Sequence, residues 1–210
     1  MGILGSIQLV PLLIFGLLGG VVADSQNRKK IMISAEILLA CCSFLLCLNS
    51  SLEQSYVVPV FVIAALMSGL TGFHRPAMEA LTPQIVAKDD LTQLSILNSF
   101  KFSFCAITGP ALAGIVIARF GLKVIYLLDF ISFVASIYFL FKVQVPDFIP
   151  TVNTEKAWQS IKEGFAYATS RAELVGTYLV DILAMIFAMP MALFPALAEN
   201  WGGPTAAGWL

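Results

Sequence analysis

Residues 3–48 read ILGSIQLVPLLIFGLLGGVVADSQNRKKIMISAEILLACCSFLLCL, two apolar runs separated by the short polar segment 23–30. A hydrocarbon core of about 30 Å is crossed by roughly 20 helical residues, which is close to the length of each run. A helix satisfies its own backbone hydrogen bonds in lipid, whereas an isolated strand does not. This stretch therefore predicts two membrane-spanning helices, over Ile3–Val22 and Ile31–Leu48, joined by a tight polar connection.

Four further apolar runs of similar length follow along the chain, so that the sequence predicts an all-α, polytopic membrane protein with about six transmembrane helices. The stretch from 142 to 171 is the longest without such a run. Its aromatic and aliphatic residues alternate with Lys and Glu at helical spacing, which indicates an amphipathic helix along the membrane surface. The four runs are Tyr56–Phe73, Leu91–Ala118, Val124–Phe141 and Leu174–Ala198.

The composition of the whole chain supports lipid as its main solvent. Of 210 residues, 59% are apolar and only 12% are charged, where a soluble domain carries about 25% charge. The net charge of −1 gives no basic excess for binding nucleic acid. The four cysteines lie inside apolar runs and His74 is the single histidine, so we predict no disulfide framework, no metal site and no cofactor.

The basic residues predict how the helices are oriented. Cytoplasmic connections are enriched in Lys and Arg. If the connection 23–30 is cytoplasmic, nine of the twelve basic residues collect on that side, against Arg119 and Lys123 on the other and Lys101 within a span. We therefore predict a multi-pass protein of the cell inner (plasma) membrane, with 23–30 and 142–171 in the cytoplasm. The nine residues are Arg28, Lys29, Lys30, Arg75, Lys88, Lys142, Lys156, Lys162 and Arg171.

The first connection carries the most distinctive local pattern, in which Gly20 and Asp24 precede the basic triplet Arg28, Lys29 and Lys30. On physical grounds alone it is explained by the enrichment of basic residues at the cytoplasmic face, where they meet anionic headgroups. It also resembles the connection between the second and third helices of major facilitator superfamily transporters. That resemblance implies that these five residues form a conformational-switch loop.

A second pattern lies in the fourth run. Pro110 lacks an amide proton and loosens its helix, while Gly109 and Gly114 allow a neighbouring backbone to approach. Ordinary packing of small residues would explain the segment, but it also resembles the fifth-helix motif of antiporters in the same superfamily. The segments 75–83 and 193–201 resemble its siderophore and drug exporters.

The resemblance extends over nearly the whole chain and implies helices two to seven of a twelve-helix transporter. On this interpretation, residues 1–145 are the N-terminal bundle without its first helix. Residues 146–172 are the central cytoplasmic loop with the amphipathic helix. Residues 173–210 contain the first helix of the C-terminal bundle and the start of the next. The chain is then a fragment, expected to act together with the missing helices.

Ionisable residues within the spans are candidate functional groups, because each costs about 2.5–3.5 kcal/mol to insert. Counted from the cytoplasmic side, Lys101 and Asp181 lie at a similar depth, about 15–17 Å at 1.5 Å per residue. We predict that they form an intramembrane charge pair; a static pair, or partners on the missing helices, are the alternatives. Glu36 is expected to be structural and near the cytoplasmic interface. Asp129 is expected to be an interfacial cap or a member of a charge pair near Arg119 and Lys123.

These observations predict a transporter, not an enzyme, since no catalytic constellation of nucleophiles, paired acids or metal ligands is present at one depth. The expected activity is secondary active export of a small amphipathic molecule, siderophore or drug, coupled to protons and working by alternating access. The expected partners are membrane lipid, the small-molecule substrate and protons. The alternative is an inactive membrane remnant or a helical partner of other membrane proteins.

Overall fold

In a computed structural model, residues 2–52, 54, 56–145 and 154–188 are described, and the helices and contacts below refer to these residues. They form seven α-helices and one short 3-10 turn, Lys88–Asp90, with no strand among them. The all-α prediction is confirmed. The helices are α1 (Gly2–Ser25), α2 (Arg28–Asn49), α3 (Val57–Ile85), α4 (Leu91–Phe120), α5 (Leu122–Lys142), α6 (Thr154–Ser170) and α7 (Ala172–Ala188).

Four of the described helices, α2 to α5, are long and apolar enough to cross a membrane. In α1 the apolar stretch covers Ile7–Gly20, and the described part of α7 has 17 residues. Most large apolar side chains on the bundle are exposed, as expected for helices whose outer surface meets lipid. Residues 146–153 and 189–210, which include the two prolines after α5 and the segment 193–201, lie outside the described residues.

Local signals in the sequence set the helix ends. The Asn27 side chain accepts a hydrogen bond from the Lys30 amide (3.2 Å) and so caps the start of α2. Between α2 and α3, the Asn49 side chain donates to the Tyr56 carbonyl (3.0 Å) and accepts from the Tyr56 amide (3.2 Å). This reciprocal pair closes the short connection and makes α2 and α3 antiparallel neighbours.

Helix α3 is longer than the apolar run that predicts it, because it continues from Phe73 through Pro76 and Pro83 to Ile85. The hydropathy of a run shows which residues are apolar enough for the lipid core. A helix can continue beyond that run, where its side chains pack on other helices or meet water. Its buried residues beyond the apolar run, Ala77 and Leu81, pack in a core cluster with residues of α2 and α5. The helix therefore ends later than hydropathy indicates.

Close packing of α1 on α3 relies on residues without side chains. A Cβ atom at Gly72 would lie 2.7 Å from the Gly16 amide nitrogen, and a Cβ at Gly19 would overlap the Gly72 carbonyl oxygen. Small residues allow such backbone contact between helices in a membrane, where hydrophobic burial gives little driving force. On the other side of α3, helix α2 is the centre of the bundle, because it packs against both α3 and α5. Helix α4 makes its main interhelical contact with α5.

Candidate functional site

The start of α2 is tied to the ends of two other helices by its basic residues. Arg28 Nη1 donates to the Ala80 carbonyl near the end of α3 (2.9 Å). Lys29 Nζ donates to the carbonyls of Phe141 (3.1 Å) and Val143 (2.7 Å), where α5 ends. The last carbonyls of a helix lack intrahelical partners and carry partial negative charge, so a lysine there is stabilising. We call this region, where α2 begins and α3 and α5 end, the basic end of the bundle.

The structure describes the remaining predicted switch-loop residues as follows. Gly20 and Asp24 lie within α1, and the side chain of Asp24 is outside the described part of the chain. Lys30 is exposed, while its amide takes part in the cap at Asn27. Within the triplet, therefore, Arg28 and Lys29 connect helices of the bundle, and Lys30 faces outward. Beneath them lies the core cluster Ile31, Met32, Ala77, Leu81 and Leu140.

A buried polar cluster lies deeper in the bundle, where three helices meet. The Glu36 side chain of α2 is 5% exposed. Its Oε1 atom accepts a hydrogen bond from Ser136 Oγ of α5 (2.9 Å) and lies 3.2 Å from His74 Nε2 of α3. Its other oxygen, Oε2, is buried and has no hydrogen-bond partner among the described residues. Glu36 is therefore enclosed by protein and does not extend to the interface as the sequence suggests.

A second hydrogen-bonded pair, of one carboxylate and one serine, lies further from the basic end. Ser43 Oγ of α2 donates to Asp129 Oδ2 of α5 (2.5 Å). Asp129 thus binds a serine of a neighbouring helix. The sequence instead predicts that it lies at the interface near Arg119 and Lys123. The pairs Glu36–Ser136 and Ser43–Asp129 share one antiparallel register. From the first pair to the second, the chain advances seven residues on α2 and goes back seven residues on α5.

Sequence reasoning singles out Glu36 and Asp129 but misses Ser43, Ser136 and His74 as their partners. A signal exists in the spacing: each helix carries one carboxylate and one serine seven residues apart, which is two helical turns on the same face. The spacing becomes informative only once α2 and α5 are known to be antiparallel neighbours.

Asp129 also lines a cavity whose volume is about 640 Å³. Most of its wall comes from α1 and α3, with Leu46 of α2 and Tyr126 of α5 completing it. The polar groups on the wall include Gln8 and Arg75, and the rest is largely aliphatic. Small-molecule sites typically have about 300–1,000 Å³ and combine apolar walls with a few polar groups, as this cavity does.

The other predicted residues lie on α4 and α7. Lys101 is exposed and donates to the Asn98 side chain one turn earlier on α4 (3.1 Å). Asp181 is exposed on α7, and no ion pair joins it to Lys101 within the described ranges. In the antiporter-like motif, Gly109 and Pro110 are exposed, and Gly114 is buried.

No group of three or more His, Cys, Asp or Glu side chains that could hold a metal ion occurs in the described residues. The carboxylates of α2 and α5 are instead separated into two pairs, each with a serine. What this arrangement offers chemically is hydrogen bonding between helices inside the bundle.

Comparison with known proteins places these features in a family. A profile of transmembrane secretion effectors matches residues 4–209. Macrolide efflux protein A of Enterococcus faecalis is 28% identical over 195 residues, which cover 91% of this chain and 60% of that protein. The Streptococcus pyogenes protein of the same name is also 28% identical, with 48% of its length covered. Enterobactin exporter EntS of Shigella boydii is 25% identical over 186 residues, which cover 88% of this chain and 44% of the exporter.

The chain thus spans about half the length of the curated relatives it matches. Those relatives are transporters and not enzymes, as the sequence predicts. The match to the family covers nearly the whole chain, and the helical bundle has the apolar surface that such a protein needs in a membrane. The chain belongs to the transmembrane secretion effector family of the major facilitator superfamily.

Proposed function

We propose that this chain forms part of a secondary transporter that exports a small amphipathic molecule, such as a drug or a siderophore, in exchange for protons. The observation that carries the proposal is the family match over residues 4–209, together with relatives named for macrolide efflux and enterobactin export. The relatives are longer than the matched region, and the corresponding length of the complete protein would supply the helices that complete the transport path.

The cavity supports an amphipathic substrate. Its aliphatic wall suits an apolar skeleton, and Gln8, Arg75 and Asp129 provide hydrogen bonds and charges of both signs. A site of this kind orients a ligand through its few polar groups and takes most of the binding energy from apolar contact. The sequence has no Walker-type phosphate loop, so the proposed energy source is an ion gradient, with protons as the coupling ion.

The basic end supports alternating access in the proposed cycle. Arg28 and Lys29 bind carbonyl groups at the ends of α3 and α5, so they hold the ends of three helices together on one side of the bundle. We propose that this side faces the cytoplasm and that the three helices move there as one body. Gly109 and Pro110 on α4, and the charges of Lys101 and Asp181, are proposed to contribute to movements that involve the completing helices.

The test is export by cells and vesicles that carry the complete transporter containing this chain. A fluorescent macrolide and a labelled siderophore serve as the two probes. Their export should depend on an imposed proton gradient and stop when a protonophore collapses it. Export that persists without the gradient would refute proton coupling, and the absence of export for any probe would favour the alternative of a helical membrane partner. The 210-residue chain reconstituted alone is expected to show no gradient-driven flux.

A further inference from the structure

The polar cluster of Glu36, His74 and Ser136 has an uneven hydrogen-bond pattern. Both contacts from neighbouring helices go to one carboxylate oxygen, Oε1, from Ser136 Oγ at 2.9 Å and His74 Nε2 at 3.2 Å. The second oxygen, Oε2, is buried without a partner among the described residues. A buried polar atom normally has a hydrogen-bond partner, and an ionised carboxylate needs partners more than a neutral acid does.

The surroundings of Glu36 on its own helix are apolar. It lies six residues, or about 9 Å, past Lys30 along α2. Its helix neighbours Met32, Ala35, Leu39 and Ala40 are all buried. A proton on Oε2 would remove the charge while Oε1 kept both of its contacts.

The other ionisable groups on the packed helices are engaged elsewhere or lie further along them. On α2, Lys29 binds the end of α5. On α5, Asp129 binds Ser43, two turns away from Ser136, and Lys142 lies over the Tyr138 ring at 4.5 Å. The remaining charged ones are exposed (Lys30, Arg75, Glu79 and Lys123) or bound to α3 (Arg28). His74 is thus the ionisable side chain in hydrogen-bond contact with Glu36 in the described part of the chain.

We propose that Glu36, together with His74 and Ser136, is a proton-binding site that joins α2, α3 and α5. A proton from water binds Oε2 of the carboxylate and forms a neutral carboxylic acid. Its release to water restores the carboxylate, which is then held by His74 and Ser136. Because the three groups come from three helices, loss or gain of the proton changes how strongly those helices are held together. The proton site stands on this geometry, and only its link to transport rests on the proposed function.

Infrared difference spectroscopy of the 210-residue chain in lipid vesicles tests the site directly. Lowering the pH protonates other carboxylates of the chain too, so the parent chain is compared with Glu36→Gln. The difference between their pH-induced spectra should contain the C=O band of one protonated carboxylic acid. The matched control is Asp129→Asn, which neutralises the other serine-paired carboxylate of the same register and should keep the band. Identical pH-induced spectra for the parent chain and Glu36→Gln would overturn the proposal.

A second variant covers the case in which Glu36→Gln does not fold, as judged by circular dichroism. His74→Leu keeps the carboxyl group and removes its neighbour, so the carboxylate loses a partner. The pH range over which the Glu36 band appears should then differ from that of the parent chain. An unchanged titration in His74→Leu would show that His74 is not part of the site.

Transport by the complete protein separates this proposal from the proposed function. If Glu36 carries the coupling proton, Glu36→Gln should make export insensitive to the proton gradient, while Glu79→Gln, at an exposed carboxylate of α3 outside the cavity, should remain sensitive to it. A titrating band in a complete protein without export would leave the site standing and overturn the proposed function. Gradient-driven export with no Glu36 band would support the proposed function and overturn the proton-binding site.

Discussion

The contact between α1 and α3 predicts opposite effects for alanine at two adjacent glycines. At Gly19, a Cβ would overlap the Gly72 carbonyl oxygen and lie 3.0 Å from Phe73 Cα. At Gly20, nothing lies within 4 Å of the added Cβ. Both substitutions gain about 0.8–1.0 kcal/mol of helix propensity. Only Gly19→Ala must push two backbones apart, and overpacking of this kind costs about 1–3 kcal/mol.

The difference between the two variants isolates the steric term, because the propensity gain cancels. We expect Gly20→Ala to raise the free energy of unfolding by up to about 1 kcal/mol, and Gly19→Ala to lie about 1–3 kcal/mol below it. The assay is reversible unfolding by sodium dodecyl sulfate in mixed micelles, followed by circular dichroism and tryptophan fluorescence. Equal stability of the two variants would refute the close approach of α1 and α3 at Gly19.

Three further predictions concern the basic end, the turn between α4 and α5, and the intramembrane charges. Lys29→Met removes two charge-assisted hydrogen bonds to carbonyls at the end of α5 and should lower the free energy of unfolding by about 1–3 kcal/mol in the same assay. Lys30→Met changes an exposed side chain and should change the free energy of unfolding by less than about 0.5 kcal/mol. Equal losses in the two variants would contradict the role of Lys29. Gly121 has φ 78° and ψ 174°, a backbone region open essentially to glycine, so Gly121→Ala should cost about 1–3 kcal/mol, and unchanged unfolding would argue against this turn. In the complete transporter, Lys101→Met and Asp181→Asn should each lower the rate of export in the vesicle assay, and unaltered export in both would remove these charges from the mechanism.

The positions of the helices follow closely from the sequence, because bilayer thickness and helix rise fix the length of an apolar run. The runs at Ile31–Leu48 and Val124–Phe141 lie within α2 and α5, which extend only one to three residues further at each end. The end of α3 could not be predicted in this way, because the turns around Ala77 and Leu81 pack against protein and the exposed last turn does not need an apolar composition.

Only the carboxylates of the candidate site could be identified from the sequence. Glu36 and Asp129 stand out as carboxylates in apolar runs, but serine is common in such runs and one histidine gives no spacing. The partners of Glu36 are 38 and 100 residues away along the chain, so local periodicity carries no information about them. The predicted pairing of Lys101 with Asp181 used equal depth alone, and depth does not determine which helices are neighbours.

The sequence by itself determined that the chain is helical, that lipid surrounds most of it, and that it resembles a transporter family. These properties depend on hydropathy, helix rise and short motifs, all of which act within about one helix length. Only the tertiary structure decided that Ser136 and His74 meet one oxygen of Glu36, and that Lys29 closes the end of α5. The physical reason is that the choice of neighbouring helices, and the rotation of each helix, depend on two kinds of contact. These are backbone contact at glycines and hydrogen bonds between polar atoms. Each such contact forms between two segments that are far apart along the chain.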